Sequence, residues 1–302
     1  MMPNVRIWEQ TRRTAPLGLQ VWDVATSAHR VNGLDIQVMT GARFAKRTRA
    51  FANRSGIYCA LGIPGLSRFE LNADDATNRD WPTRPYKIEV RDPAAHFLPF
   101  TFDANLPATG LLEGIFSRTS PPQLFESPLT QDSPPSPTLR QVPLFSSTSR
   151  PAPDSLAVVR AELRELGTDR EAAWCLLTVS IDAVVKGIGL ADQQGRVAVL
   201  FPYPERPRPA LTSPPSANRD FHWNIQLTAY YTPRPINSAA PAIADMAEVL
   251  AQLNLPPRRL YRSTLSTPET LPSQPLEYRV PLTVRTEITA TGKSSFLFIN
   301  PA

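Results

Sequence analysis

Proline interrupts this chain 33 times in 302 residues, about twice the usual ~5% share, and that frequency restricts the fold more than any other feature. Inside a helix, proline removes a backbone hydrogen bond and clashes with the preceding turn, whereas strand ends, turns and extended linkers accept it. The chain is therefore expected to be mainly β. Its apolar fraction of 42% and charged fraction of 20% suit a globular protein, and the length suits about two ordinary domains.

Residues 1–103 read as short strands separated by turn signals, several with the period-two alternation of a half-buried strand. Segment 17–24 sets Leu19, Val21 and Asp23 on one face, and 34–39 does the same for Leu34, Ile36 and Val38. Segments 57–61, 86–90 and 97–102 complete the set, so that many short strands close together predict a β-sandwich.

Composition then shifts to Pro, Ser and Thr across 104–155, including Ser120-Pro121-Pro122 and Ser133-Pro134-Pro135-Ser136-Pro137. So little apolar surface cannot offset the entropy of ordering, and the prolines favour an extended conformation. A Pro/Ser-rich linker is expected there. Leu124-Phe125 and Val142-Pro143-Leu144-Phe145 interrupt it: incidental hydrophobes, or a strap docking on its own domain or on a neighbour. Leu124, Phe125, Leu144 and Phe145 are therefore candidate partner contacts.

Residues 156–302 predict a second sandwich, with strands at 156–163, 174–181, 197–201 and 224–231. A single helix is expected at about 241–254, where Ile243, Met246, Val249, Leu250 and Leu253 recur at helical spacing between Pro241 and Pro256. Alternation through Val280, Leu282 and Val284 predicts a strand over 278–288, and 295–299 reads as another. One pattern occurs in both halves. Asn53-Arg54-Ser55-Gly56 and Asp192-Gln193-Gln194-Gly195 each precede an apolar strand closed by proline, and the next strand follows at similar separation. Asn or Asp tolerates the turn and glycine supplies positive φ, so each predicts a tight hairpin, and together they suggest duplication.

The formal charge of +5 is unevenly spread. Arg43, Lys46, Arg47, Arg49, Arg54 and Arg68 lie in a stretch, 36–69, that contains no acid. Such a stretch can dock an acidic partner or nucleic acid, or can simply be a solvated face. No recognition helix, zinc-finger spacing or stacking motif accompanies it, so nucleic acid is not expected. Arg43, Lys46, Arg47 and Arg49 are taken as candidate partner contacts.

The parts of an active site are sparse. His29, His96 and His222 stand apart from one another and from Cys59 and Cys175, and no zinc spacing, phosphate-binding glycine loop, nucleophile elbow or dinucleotide fingerprint occurs. Asp74-Asp75 and Asp192 read as turn formers. The cysteines sit in apolar surroundings, as reduced buried thiols do. No catalytic residue, metal or cofactor is expected. A hydrolase with a site assembled from distant residues would need a concave pocket with converging titratable groups. No apolar run approaches the roughly 20 residues of a membrane span, and segment 1–13 is polar, so the chain is expected to be cytoplasmic when made.

The stretch from Asn53 to Pro64, with the Pro64-Gly65 turn and Arg84-Pro85-Tyr86-Lys87-Ile88-Glu89-Val90-Arg91-Asp92, resembles the regulatory-like domain of carboxypeptidases, a transthyretin-like sandwich. His96 to Asp103 with Leu106-Pro107, Gly195 to Val197 with Leu200 to Pro204, and Phe298 to Ala302 are similar to proteins of bacterial contractile injection systems, which are phage-tail-like particles. That resemblance implies two Ig-like or transthyretin-like modules acting as a structural, non-catalytic subunit at the baseplate or its periphery. It implies several copies per particle, contacts with baseplate, sheath or tube subunits, and a particle able to dock on a membrane. The alternative is a free-standing β-sandwich module binding carbohydrate or an envelope surface.

Overall fold

The computed structural model describes residues 13–28, 31–40, 46–71, 81–108, 142–204, 222–235, 239–262, 269–285 and 296–300. The fold is mainly β. Its first half contains β1 (Leu17–Leu19), β2 (Val21–Asp23), β3 (Asp35–Thr40), β4 (Lys46–Arg49), β5 (Phe51–Ala52), β6 (Tyr58–Ala60), α1 (Ser67–Leu71), β7 (Arg84–Arg91), β8 (Phe100–Leu106) and β9 (Val142–Leu144). Its second half contains β10 (Leu156–Glu165), β11 (Leu176–Ile181), β12 (Val184–Leu190), β13 (Arg196–Pro202), β14 (His222–Tyr230), β15 (Ala244–Asp245), α2 (Met246–Ala251), β16 (Leu260–Tyr261), β17 (Gln274–Glu277), β18 (Leu282–Thr283) and β19 (Phe296–Ile299).

Alternation places the N-terminal core as expected. Leu17, Leu19 and Val21 are buried from β1 and β2, and Ile36 and Val38 from β3. They meet Ile88 and Val90 of β7 and Phe100 and Phe102 of β8 in one cluster. The main sheet runs β15-β8-β7-β3-β4, accompanied by the smaller sheet β1-β6-β5 and the pair β2-β9. Each turn of the repeated pattern closes in the same way. The Asn53 side-chain oxygen accepts from the Ser55 and Ile57 N–H groups, and that of Asp192 from Gln194 and Arg196. Gly56 and Gly195 follow at φ +78° and +79°, where an L side chain is strained. A third turn of this kind carries no glycine: Asp92 accepts from Ala94, His96 and Phe97, and Ala95 occupies the left-handed position at φ 55°.

The C-terminal sandwich sets sheet β13-β10-β19-β16, with β18 also beside β10, against sheet β12-β11-β14-β17. Leu163, Val197, Val199 and Leu297 fill the space facing Leu177, Val179, Ile225 and Leu276. The opposite faces are covered too. Leu176 of β11 and Ile188 and Leu190 of β12 belong to the N-terminal core cluster, and Leu156, Val158, Ala198 and Leu200 pack with Ala25. Strands buried on both faces need no alternation. That is why β13 reads as an unbroken apolar run, Val197 to Phe201, all buried.

Three boundaries differ from those expected. The segment expected as a linker belongs to strands near both ends, residues 104–106 extending β8 and 142–144 forming β9, which pairs parallel with β2, while 109–141 lie outside the described residues. The helix begins only at Met246, because Ala244 and Asp245 pair with Phe100 and Thr101 of β8 as a parallel strand, and the Asp245 carboxylate caps the helix by accepting from the Ala247 and Glu248 N–H groups. It gives way to a 3-10 turn over Gln252–Asn254. The strand expected at 278–288 is broken by a turn at Tyr278-Arg279, leaving β18, while 286–288 lie outside the described residues. β12 was not anticipated, its two glycines and Lys186 obscuring the pattern.

Candidate partner-facing surface

Three of the cationic residues lie on one sheet margin. β4 contributes Lys46, Arg47 and Arg49, all exposed, as is Arg54 in the turn that follows β5. β4 is the last strand of the main sheet. Alternation turns Arg47 and Arg49 to the solvated face, where Arg47 donates to the Gln37 side-chain oxygen at 3.2 Å and Arg49 pairs with Asp35 at 2.9 Å. The Arg49 side chain stays 73% exposed, so the pairing leaves it accessible. Phe51, 52% exposed, adds an apolar group beside them. Arg43, Leu124 and Phe125 lie outside the described residues.

Leu144 and Phe145 are not partner contacts. They are 0% and 2% exposed and belong to the N-terminal core, so the strap docks on its own domain. Backbone pairing with β2 and the Leu98 N–H donating to the Phe145 carbonyl at 2.9 Å fix its path. Arg150 then clamps it: the guanidinium donates to both Asp23 carboxylate oxygens at 2.8 and 2.7 Å and sits 4.7 Å from the Phe97 ring centre. Burial pushes the Asp23 carboxyl up, but hydrogen bonds from Arg150, Thr26 and the Ala25 N–H, with the Arg150 charge, bring it below the ordinary range.

A second buried polar group lies in the C-terminal half. Glu165 accepts from the Thr168 hydroxyl at 2.6 Å, the Tyr231 hydroxyl at 2.7 Å and the Arg170 guanidinium at 2.7 Å. Arg170 also donates to the Arg234 and Pro235 carbonyls, and Arg234 to that of Ala173. Burial acts to raise the Glu165 carboxyl, and the hydrogen bonds from Thr168, Tyr231 and Arg170, with the Arg170 charge, lower it overall. Burial, then Glu165, push the Tyr231 phenol well up, which keeps its proton in the bond. These groups satisfy one another and tie the connection between β10 and β11 to the segment after β14. Sequence pattern offered no route to the cluster: Thr168 and Arg170 are near Glu165 in the chain, but Tyr231 and Arg234 reach it from more than 60 residues away.

Neither thiol is poised for chemistry. Cys175 is fully buried and Cys59 half-buried, and desolvation pushes both thiols up, Cys175 the further. Among the described residues no grouping of His, Cys, Asp and Glu could hold a metal ion, and no helix is long and apolar enough to cross a membrane. A looser feature is the contact of Tyr203, Trp223 and Tyr278, half-buried, with ring centres 4.8 to 6.5 Å apart.

Fold and site together define a mainly β, sandwich-type protein with a basic sheet margin. No family model and no curated protein matches the chain. Among solved structures, the Bacillus anthracis TIE protein aligns with 94% of this chain and 43% of its own length, at 9% identity and a TM-score of 0.20. This chain thus spans less than half of that structure, and a likeness so low carries no argument about fold or function.

Proposed function

We propose that the chain is a structural, non-catalytic subunit of a phage-tail-like contractile injection particle, seated at the baseplate or its periphery and acting through protein–protein contacts. The observation that carries this reading is the way the second half completes the first. β15 extends the N-terminal sheet, Met246 and Val249 of α2 fill its core, and Trp174 donates from its indole N–H to the Pro241 carbonyl at 3.1 Å. Two sandwiches sharing a core form a stiff block suited to bearing load between neighbours, and the basic margin at β4 gives that block a polar face for docking. The motif resemblance supplies the kind of assembly, which forms in the cytoplasm from several copies of each subunit. The test is affinity purification of the tagged chain from its native cell, with negative-stain microscopy and mass spectrometry. Rods with sheath and tube subunits are the expected result, and recovery of the chain alone overturns the reading.

A second reading, a free-standing module for carbohydrate or an envelope surface, is favoured by one observation, the Tyr203, Trp223 and Tyr278 cluster. Aromatic faces stack on sugar rings much as on other apolar surfaces. Co-purifying glycans in the same experiment would favour it.

A further inference from the structure

The five-stranded N-terminal sheet ends differently at its two margins. At β8 the chain supplies its own cover, because β15 pairs there in parallel and is followed directly by α2. At β4 the described residues supply none: β3 lies on one side, and no strand lies on the other.

The register tells which groups of β4 face outward. Thr40, Met39, Val38 and Gln37 stand opposite Lys46, Arg47, Thr48 and Arg49, and the Ala50 N–H donates to the Ile36 carbonyl at 2.8 Å. In an antiparallel pair, residues alternate between those whose N–H and C=O both turn to the partner strand and those whose groups both turn away. Ala50, Thr48 and Lys46 are therefore the residues bonded to β3. The N–H and C=O of Arg47 and Arg49 point away, two donors and two acceptors arranged for one more antiparallel strand.

The side chains state what that strand must carry. Residues added opposite Arg47 and Arg49 would share their solvated face and lie in direct cross-strand contact, where opposite charges attract and like charges repel. Lys46 adds a third cation to the same strand, and Asp35, beside Arg49, is the acid on β3. A second copy offering the same edge would set arginine against arginine, so the charge that keeps the edge from pairing with itself admits an acidic strand. Nucleic acid answers the charge but has no alternating backbone donors and acceptors to match.

We infer that the outer edge of β4 receives an extended acidic segment of a partner protein, which joins the sheet as a further antiparallel strand. This rests on the assembly reading and specifies its contact. The partner segment has acidic residues at alternate positions and small or β-branched residues between them, and the complex weakens as salt rises.

The test uses the full chain and an eight-residue peptide of alternating Glu and Thr, capped at both ends and labelled at one, read by fluorescence anisotropy and amide exchange. In the free protein the Arg47 and Arg49 amides should exchange fast and the Thr48 amide slowly; with the peptide the two arginine amides become protected. Methylating alternate peptide nitrogens, which removes donors but leaves charge alone, should weaken binding about tenfold or more, the change expected from losing two backbone hydrogen bonds. Arg47→Glu with Arg49→Glu should abolish it, and Arg47→Gln with Arg49→Gln, the variant for use if the reversal does not fold, should weaken it. Failure of the peptide to bind overturns the inference, as does equal binding by the methylated peptide or by oligothymidylate of the same charge. Each of those results leaves particle membership to the co-purification, so the two readings fail separately.

Discussion

Arg150 and Asp23 stand 127 residues apart in sequence and meet through two parallel hydrogen bonds of 2.8 and 2.7 Å. Both side chains are nearly withdrawn from water, at 11% and 5% exposure. The pair fastens the segment after β9 to β2, and Arg150 also reaches the Ser146 hydroxyl at 2.9 Å. Removing one member leaves a buried charge without its partner. Arg150→Met should lower unfolding free energy by about 3–5 kcal/mol at pH 7, read by urea denaturation. A loss under about 1 kcal/mol would mean that the strap is held by β pairing alone.

Acid should weaken the fold through the same group. The folded Asp23 and Glu165 carboxyls lie below their ordinary values, so the stability they contribute is fully present above about pH 4, the unfolded range, and is lost as pH falls through the lower folded values. The difference between the native protein and Arg150→Met should therefore shrink as pH falls below about 4. A difference that stays constant with pH would assign the loss to packing instead of charge.

Glycine substitutions should separate strain from collision. Gly167, at φ +90°, has open space around a Cβ, whereas at Gly195, φ +79°, a Cβ would lie 2.3 Å from the Leu163 carbonyl oxygen. Gly167→Ala should cost about 1 kcal/mol, the ordinary price of a left-handed alanine, and Gly195→Ala more than about 3 kcal/mol. Equal losses by thermal unfolding would show that β10 yields at Leu163.

The opposite change should help at the third turn. Ala95 adopts φ 55° while its N–H donates to the Asp92 carbonyl at 3.0 Å. Ala95→Gly relieves that strain at a smaller entropic cost in the unfolded chain, a net gain of about 0.5–1 kcal/mol. A fall in melting temperature would contradict it.

Thiol labelling should distinguish the cysteines. In native protein, Cys59 should react slowly with an aromatic disulfide reagent and Cys175 not at all until denaturant is added, since burial shields it and disfavours its thiolate. Rapid reaction of both would mean that the C-terminal sandwich opens readily.

Much of the fold was legible in residue pattern. Leu34, Ile36 and Val38 alternate because one face of β3 is buried, and Asn53-Gly56 and Asp192-Gly195 specify turns whose hydrogen bonds are made within four residues. The candidate surface was legible in part. A stretch of cations without acids was visible, but that it forms an edge strand depends on what pairs beyond it. Leu144 and Phe145, read as anchors for a partner, are core residues because β2 lies alongside their segment.

By itself, then, the sequence determined the β class, the turns and the basic stretch, all of which follow from interactions between residues near one another in the chain. Only the tertiary structure decided that the halves share a core, that Asp23 finds Arg150, and that β15 covers one margin of the sheet while β4, among the described residues, stands last at the other. Those depend on which apolar faces remain to be buried once the local strands exist. The double-sided burial of β11 and β13 records this best: their apolar runs are explained only by the fold, in which the other half of the chain supplies the second cover.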